Sequence, residues 1–126
     1  MELREYQEKA SRTLARLGKL YPDDNAHMIF GIMTELGELS DAFKKNMAYG
    51  KPLDITNVQE EIGDIMWYIA NFCNLHDFVL SDILDTNIAK LEVRYPEKFT
   101  EERAINRNLR SEREILEEMG IRHEAG

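Results

Sequence analysis

The sequence predicts an all-α fold of the bundle type. Apolar residues recur at helical spacing through almost the whole chain, no stretch alternates as a strand would, and the breaks between periodic stretches hold proline, glycine or capping residues. With 126 residues, 43% apolar and 32% charged, the chain suits one globular domain spanning 1–126.

From Glu2 to Leu20, the residues Leu3, Tyr6, Ala10, Leu14 and Leu17 form a stripe that stops at Tyr21-Pro22, a first helix. Asp23-Asp24-Asn25 offers caps for a second helix, which runs to about Ala48 before Tyr49-Gly50-Lys51-Pro52 breaks it. Its stripe Ile29, Ile32, Leu36, Leu39 and Phe43 should face a core, and His27, Gly31, Glu35, Glu38, Ala42 and Lys45 share the neighbouring face. Small residues there would leave room for a ligand. Thr56-Asn57-Val58-Gln59 has capping-box spacing, so a third helix should run from there to about Leu75, with Val58, Ile62, Ile65, Ile69 and Phe72 inward. Glu61, Asp64, Tyr68 and Asn71 form a polar line beside them. Ser81 can cap a fourth helix, with Leu84, Ile88 and Leu91 on one face and Asn87, Lys90 and Arg94 on the other, ending at Tyr95-Pro96. Thr100 should cap a last helix to Met119-Gly120. Its line of Ala104, Ile105, Leu109 and Leu116 is too sparse for a core and suits a partner subunit.

Two acidic pairs stand out, Glu35-Leu-Gly-Glu38 and Glu61-Ile-Gly-Asp64. Residues at i and i+3 share a helix face, so each pair points two carboxylates the same way. With 24 acids in the chain, roughly four or five such pairs arise by chance. These two sit among Ile29, Ile32, Met33, Leu36 and Leu39, and among Ile62, Ile65, Met66 and Ile69, where carboxylates need a partner. Placed side by side, the helices would gather four like charges. Mg²⁺, a hard cation that takes oxygen ligands and leaves room for phosphates, would relieve the repulsion. The alternative is four carboxylates salt-bridged to nearby Lys and Arg. Lys44 or Lys45, Lys90 and Arg94 favour a nucleotide site, since a triphosphate bound with metal needs such cations.

Other features exclude or subordinate rival readings. Runs of apolar residues fall far short of a membrane span, and a net charge of -8 argues against nucleic acid as a partner. The start Met1-Glu2-Leu3-Arg4-Glu5 lacks a signal-peptide layout and Cys73 is alone, so the expected location is cytoplasmic. His27, His76 and His123 lack ligand spacing, and the absence of any Glu-x-x-His disfavours a di-iron bundle. No glycine-rich phosphate loop is present. Aromatics at helical spacing are more often core than stacking platforms, so Trp67 reads first as packing. Tyr68 shares the acid face, which makes its hydroxyl the stronger functional candidate.

Glu35-x-x-Glu38, 22 intervening residues, Glu61-x-x-Asp64, then Asn87-x-x-Lys90 and Arg94-Tyr95-Pro96 together resemble the MazG-like, all-α nucleoside triphosphate pyrophosphohydrolases. The likeness spans about Ile29 to Phe99. It implies a core of about 24–99 with a helical tail of about 100–120, a four-helix-bundle-type fold completed by oligomerisation, and a homodimer or homotetramer. It also implies hydrolysis of a (deoxy)nucleoside triphosphate to the monophosphate and pyrophosphate with Mg²⁺, for which Mn²⁺ substitutes. Glu35, Glu38, Glu61 and Asp64 match the metal ligands, with Glu35 and Glu38 the first candidates for general base. Tyr68, Asn87, Lys90 and, more weakly, Arg94 match substrate contacts. Lys90 and a lysine of the second helix, Lys45, are candidates for the leaving group's charge, and His27, Met28, Gly31 and Trp67 for the base pocket. The role expected is nucleotide-pool control. Phosphoribosyl-ATP pyrophosphohydrolase shares fold and reaction, and a non-enzymatic helical interaction module with structural acids is the reading from another class.

Overall fold

Helix α2, Asp24–Tyr49, has a defined start and stop. The Asp23 side chain accepts the Asn25 N–H at 2.8 Å, and Gly50 leaves the helix at φ 64, a left-handed conformation that glycine adopts without penalty. In the computed structural model, residues 1–15, 23–96 and 100–125 are described, the side chains of 119–125 excepted. The other helices are α1 Leu3–Ser11, α3 Ile55–Leu75, α4 Leu80–Arg94, α5 Glu101–Ile105 and α6 Leu109–Ala125. The fold is all-α, and none of these helices is long and apolar enough to cross a membrane.

Several ends differ from those read off the sequence, each for a local reason. Helix α1 stops at Ser11 rather than near Leu20, and Leu17 and Tyr21-Pro22 lie outside the described residues. Its last turn finds side-chain partners: the Ala10 carbonyl accepts from Thr13 Oγ1 and from Asn71 Nδ2 of α3. Helix α3 is capped by Asp54, which accepts the Asn57 N–H at 3.1 Å, so Thr56 falls inside the first turn. A carboxylate at that end also meets the helix dipole favourably. Helix α4 begins one residue before Ser81, because Gln7 Oε1 accepts the Leu80 N–H at 2.9 Å. The expected single C-terminal helix is two. Thr100 does cap, accepting from the Arg103 N–H, but Asn106 ends α5 and Asn108 accepts the Ser111 N–H to start α6. Asparagines favour such breaks by competing for backbone groups.

The chain gathers into two compact units, Met1–Leu80 and Ser81–Gly126. In the first, α2 and α1 both pack on α3. Ala10, Ala70, Cys73 and Leu80 form a small core, with Tyr6, Met66, Trp67 and Ile69 against it. A polar clasp joins α1 to α3. Gln7 Nε2 donates to Asn74 Oδ1 and to the Phe78 carbonyl, and Asn74 Nδ2 donates to the Gln7 carbonyl and to Asn71 Oδ1. Asn71, fully buried, thus serves the helix seam rather than a ligand.

The inward face of α2 is also not the one expected. Met28 and Gly31 are its buried residues, whereas Ile29, Leu36 and Phe43, expected in the core, are exposed, Leu36 by 52%. On α3, Ile62 is likewise exposed and Glu61 is buried. The apolar periodicity correctly marks a face to be covered, but within one chain α3 takes the adjacent face instead. In the second unit, Leu84, Ile88, Ile105, Leu109 and Leu116 are exposed as well.

Candidate metal and phosphate site

Because α2 and α3 are joined by a short turn and pack along one another, three of the four paired acids meet at the seam. Glu35, Glu38 and Glu61 each bring a carboxylate oxygen to within 4.8 Å of the others. Glu61 is only 5% exposed, Glu35 is half-buried and Glu38 faces solvent. Oε2 of both Glu35 and Glu61 is shielded from water without a hydrogen-bond partner among the described residues. Ionised carboxylates only accept, so three together cannot satisfy one another. A hydrogen-bonding contact with Glu61, then that neighbour's charge, push the Glu38 carboxyl above its ordinary value. A like contact with Glu35, then burial, push up Glu61. The donor set is all carboxylate oxygen, with two oxygens shielded and without a partner, and this fits a hard divalent cation.

Asp64, expected as the fourth ligand, does not join that cluster. It is exposed one turn further along α3, and its charge reaches Tyr6 of α1, whose phenol is raised first by burial and then by Asp64. Glu60 is exposed as well.

Toward the start of α2, the Tyr68 ring lies over Gly31, where a Cβ would overlap it. The space read from Gly31 as room for a ligand is therefore filled by Tyr68, and Met28 is fully buried packing. Tyr68 stands edge-on to His27, 6.1 Å between centroids, and edge-on to Trp67 at 5.1 Å. Trp67 packs on the small core and donates its indole N–H to Thr13 Oγ1 at 2.8 Å. Both Tyr68 and His27 are half-buried beside the acids.

In the other direction, a cleft of about 550 Å³ runs from Glu38 and Glu61 past Ala42 to Lys45, Lys51 and Asn57. Lys45 is paired with Asp41 at 2.7 Å, an exposed i, i+4 pair of modest worth. The sequence marks Tyr49-Gly50-Lys51-Pro52 only as a break, yet Lys51 lines this cleft. The signal was a glycine helix stop followed at once by a cation, which returns the charge to the helix just left.

Asn87, Lys90 and Arg94 lie on α4 in the second unit, Asn87 exposed and Lys90 half-buried. Arg94 is engaged elsewhere. Its Nε donates to Glu112 Oε1 at 2.8 Å, and Arg107 Nη2 donates to Glu112 Oε2 at 2.8 Å. Glu112 is 3% exposed, and the two guanidinium groups, Arg94 first, hold its carboxyl down at about 2. Burial and this pairing leave Arg94 a structural partner, although the sequence marked it for phosphate.

The geometry has counterparts among known proteins. The Gene 37 protein of Mycobacterium phage L5 is 34% identical over 74 residues, which cover 55% of this chain and 64% of that protein. The chain thus spans less than two thirds of that relative's length. No solved structure matches significantly. A family model described as the MazG nucleotide pyrophosphohydrolase domain matches residues 24–99, the stretch that carries both acidic pairs, Asn87-x-x-Lys90 and Arg94. This chain belongs to the MazG nucleotide pyrophosphohydrolase family.

Proposed function

We propose that the protein hydrolyses a (deoxy)nucleoside triphosphate to the monophosphate and pyrophosphate, with Mg²⁺ as cofactor and Mn²⁺ as substitute, in nucleotide-pool control. The observation that carries this reading is the convergence of Glu35, Glu38 and Glu61 around a buried carboxylate oxygen with no partner. Membership of the family supports it.

Glu35, Glu38 and Glu61 would hold the divalent ion, and Asp64 is proposed to complete the set when substrate arrives. When bound, such an ion supplies charge neutralisation to the phosphates and acidity to a water. Glu38, the solvent-facing member of the cluster and a wall of the cleft, is placed to take the proton of the attacking water. The water oxygen would bond to the α-phosphorus, the bond from that phosphorus to the α–β bridging oxygen would break, and its electron pair would leave on pyrophosphate. Lys45, at the far end of the same cleft, would meet the charge that develops there. Tyr68 and His27, which lie outside that cleft toward the start of α2, are proposed to meet the nucleoside, with Trp67 beside Tyr68. Asn87 and Lys90 are proposed as further phosphate or sugar contacts.

The exposed apolar residues of α2, Leu36 and Phe43 among them, support a homodimer or homotetramer as the working form. A nucleotide panel with Mg²⁺, scored for pyrophosphate against phosphate release, tests the reaction and includes phosphoribosyl-ATP as a rival substrate. Release of pyrophosphate that vanishes with EDTA and in Glu38→Gln is expected. Inert triphosphates together with a melting temperature indifferent to metal would overturn the proposal in favour of an interaction module.

A further inference from the structure

The site is ordered along α2. His27 and Gly31, with Tyr68 laid against both, come first; Glu35 and Glu38 follow; Lys45 stands two turns beyond Glu38, roughly 10 Å along the axis. The chain then doubles back. Gly50 at φ 64 reverses it, the Lys51 N–H donates to the Lys45 carbonyl at 3.4 Å, and Asn46 Nδ2 donates to the Lys51 carbonyl at 2.7 Å. These bonds fix the Lys51 backbone and leave its side chain beside the cleft that Glu38 and Glu61 also line.

The charges around that end are not equivalent. Lys45 is paired with Asp41 in an exposed i, i+4 contact, and Asp54 accepts the Asn57 N–H as the cap of α3. Lys51 makes no ion pair among the described residues. One end of the cleft therefore holds a buried carboxylate oxygen that lacks a partner, and the other holds an uncommitted ammonium group. A ligand that satisfies both is a divalent cation carrying an extended polyphosphate. The opposite polarity would run terminal phosphates toward the Tyr68 and Trp67 rings, an aromatic surface that offers them no cation.

From this order we infer that Lys51 receives the terminal phosphates, so that the leaving pyrophosphate lies at the Gly50–Lys51 turn and the nucleoside lies toward His27 and Tyr68. This rests on the phosphate chemistry proposed above and adds the direction in which the substrate lies. Lys51 then contacts one product, pyrophosphate, and not the other, the nucleoside monophosphate.

The test is calorimetric binding of inorganic pyrophosphate with Mg²⁺, and separately of a nucleoside monophosphate with Mg²⁺, to the full chain, its Lys51→Ala and Lys51→Arg variants, and Lys9→Ala as a control for lost charge. Lys51→Ala should weaken pyrophosphate about tenfold, as expected for one charge-assisted contact, and leave the monophosphate within about twofold. Lys51→Arg should retain most of the affinity, and Lys9→Ala should bind as the parent does. Pyrophosphate binding that is absent, or untouched by Lys51→Ala, overturns the inference, as does an equal or greater loss for the monophosphate. If triphosphates prove inert while pyrophosphate binding depends on Lys51, the catalytic proposal falls and the Lys51 site stands.

Discussion

Tyr68 lies so closely on Gly31 that no side chain fits between the ring and the α2 backbone. The contact sets both the distance between α2 and α3 and the tilt of an aromatic ring that also touches His27 and Trp67. Gly31→Ala must move the ring or part the helices, and overpacking of this kind costs about 1–3 kcal/mol. A lower melting temperature is expected, together with weaker metal binding at the acids one turn away. Gly37→Ala, with open space around its Cβ position, is the matched control. Equal melting temperatures for the two variants would refute the argument.

On the proposed function, divalent metal should stabilise the protein, because the folded cluster would offer it a site that the unfolded chain lacks. At a concentration about 100-fold above Kd, the linkage amounts to about 2.7 kcal/mol. Thermal melts with and without Mg²⁺ should show the gain, and Glu61→Gln should remove it while raising the melting temperature of the metal-free protein. Removing a crowded, buried charge has that sign. A variant that melts lower without metal would contradict the crowding.

The same cluster dictates a pH trend. Glu38 and Glu61 have folded-state values raised above 4.5, so the native state holds their protons more tightly than the unfolded chain does. Their contribution is fully present below the ordinary value and is lost as pH rises through the raised ones. Metal-free protein should therefore lose stability over that rise, relative to a Glu38→Gln/Glu61→Gln double variant. Saturating Mg²⁺ should abolish the loss. Melts across the pH series in EDTA and in Mg²⁺ check this, and parallel curves in EDTA would exclude it.

The two acidic pairs and the bounds of α2 were legible because an i, i+3 spacing and a glycine stop act within one helix. What the sequence left open concerns partners on other elements. Gln7 displaces Ser81 as the acceptor at the start of α4 from 73 residues away, and no local pattern announces that. Asn71 looks like the end of the polar line from Glu61, yet α1 recruits it through the Ala10 carbonyl. The apolar stripe of α2 marks a face that needs covering without saying what covers it, which is why Leu36 and Phe43 read as core and stand exposed.

That stripe makes its own prediction. Ile29, Met33, Leu36, Phe43 and Met47 are all exposed and all apolar, more than a lone helix face holds comfortably in water. Light scattering should report a dimer or tetramer at micromolar concentration, and Leu36→Glu should shift it toward monomer without loss of helicity by circular dichroism. A monomeric parent protein would refute the proposed assembly.

Glu112 gives the opposite pH signature from the acid cluster and can be separated from it. Its carboxylate lies between Arg94 and Arg107, which lower its folded value from 4.5 to about 2. A depressed value means the contribution is present above 4.5 and fades as pH falls toward about 2. Glu112→Gln leaves two guanidinium groups facing a neutral amide, so at neutral pH the variant should melt several degrees lower, since losing one partner of a buried pair strands the other. On acidification the difference between parent and variant should shrink through this window, because protonation does to Glu112 what the substitution does permanently. High salt should reduce it less than it reduces an exposed pair such as Arg110–Glu114, whose partners stand in solvent. A difference that stays constant from neutral pH to the bottom of that window would show that Glu112 acts through packing, and that its charge contributes nothing to holding α6 against the end of α4.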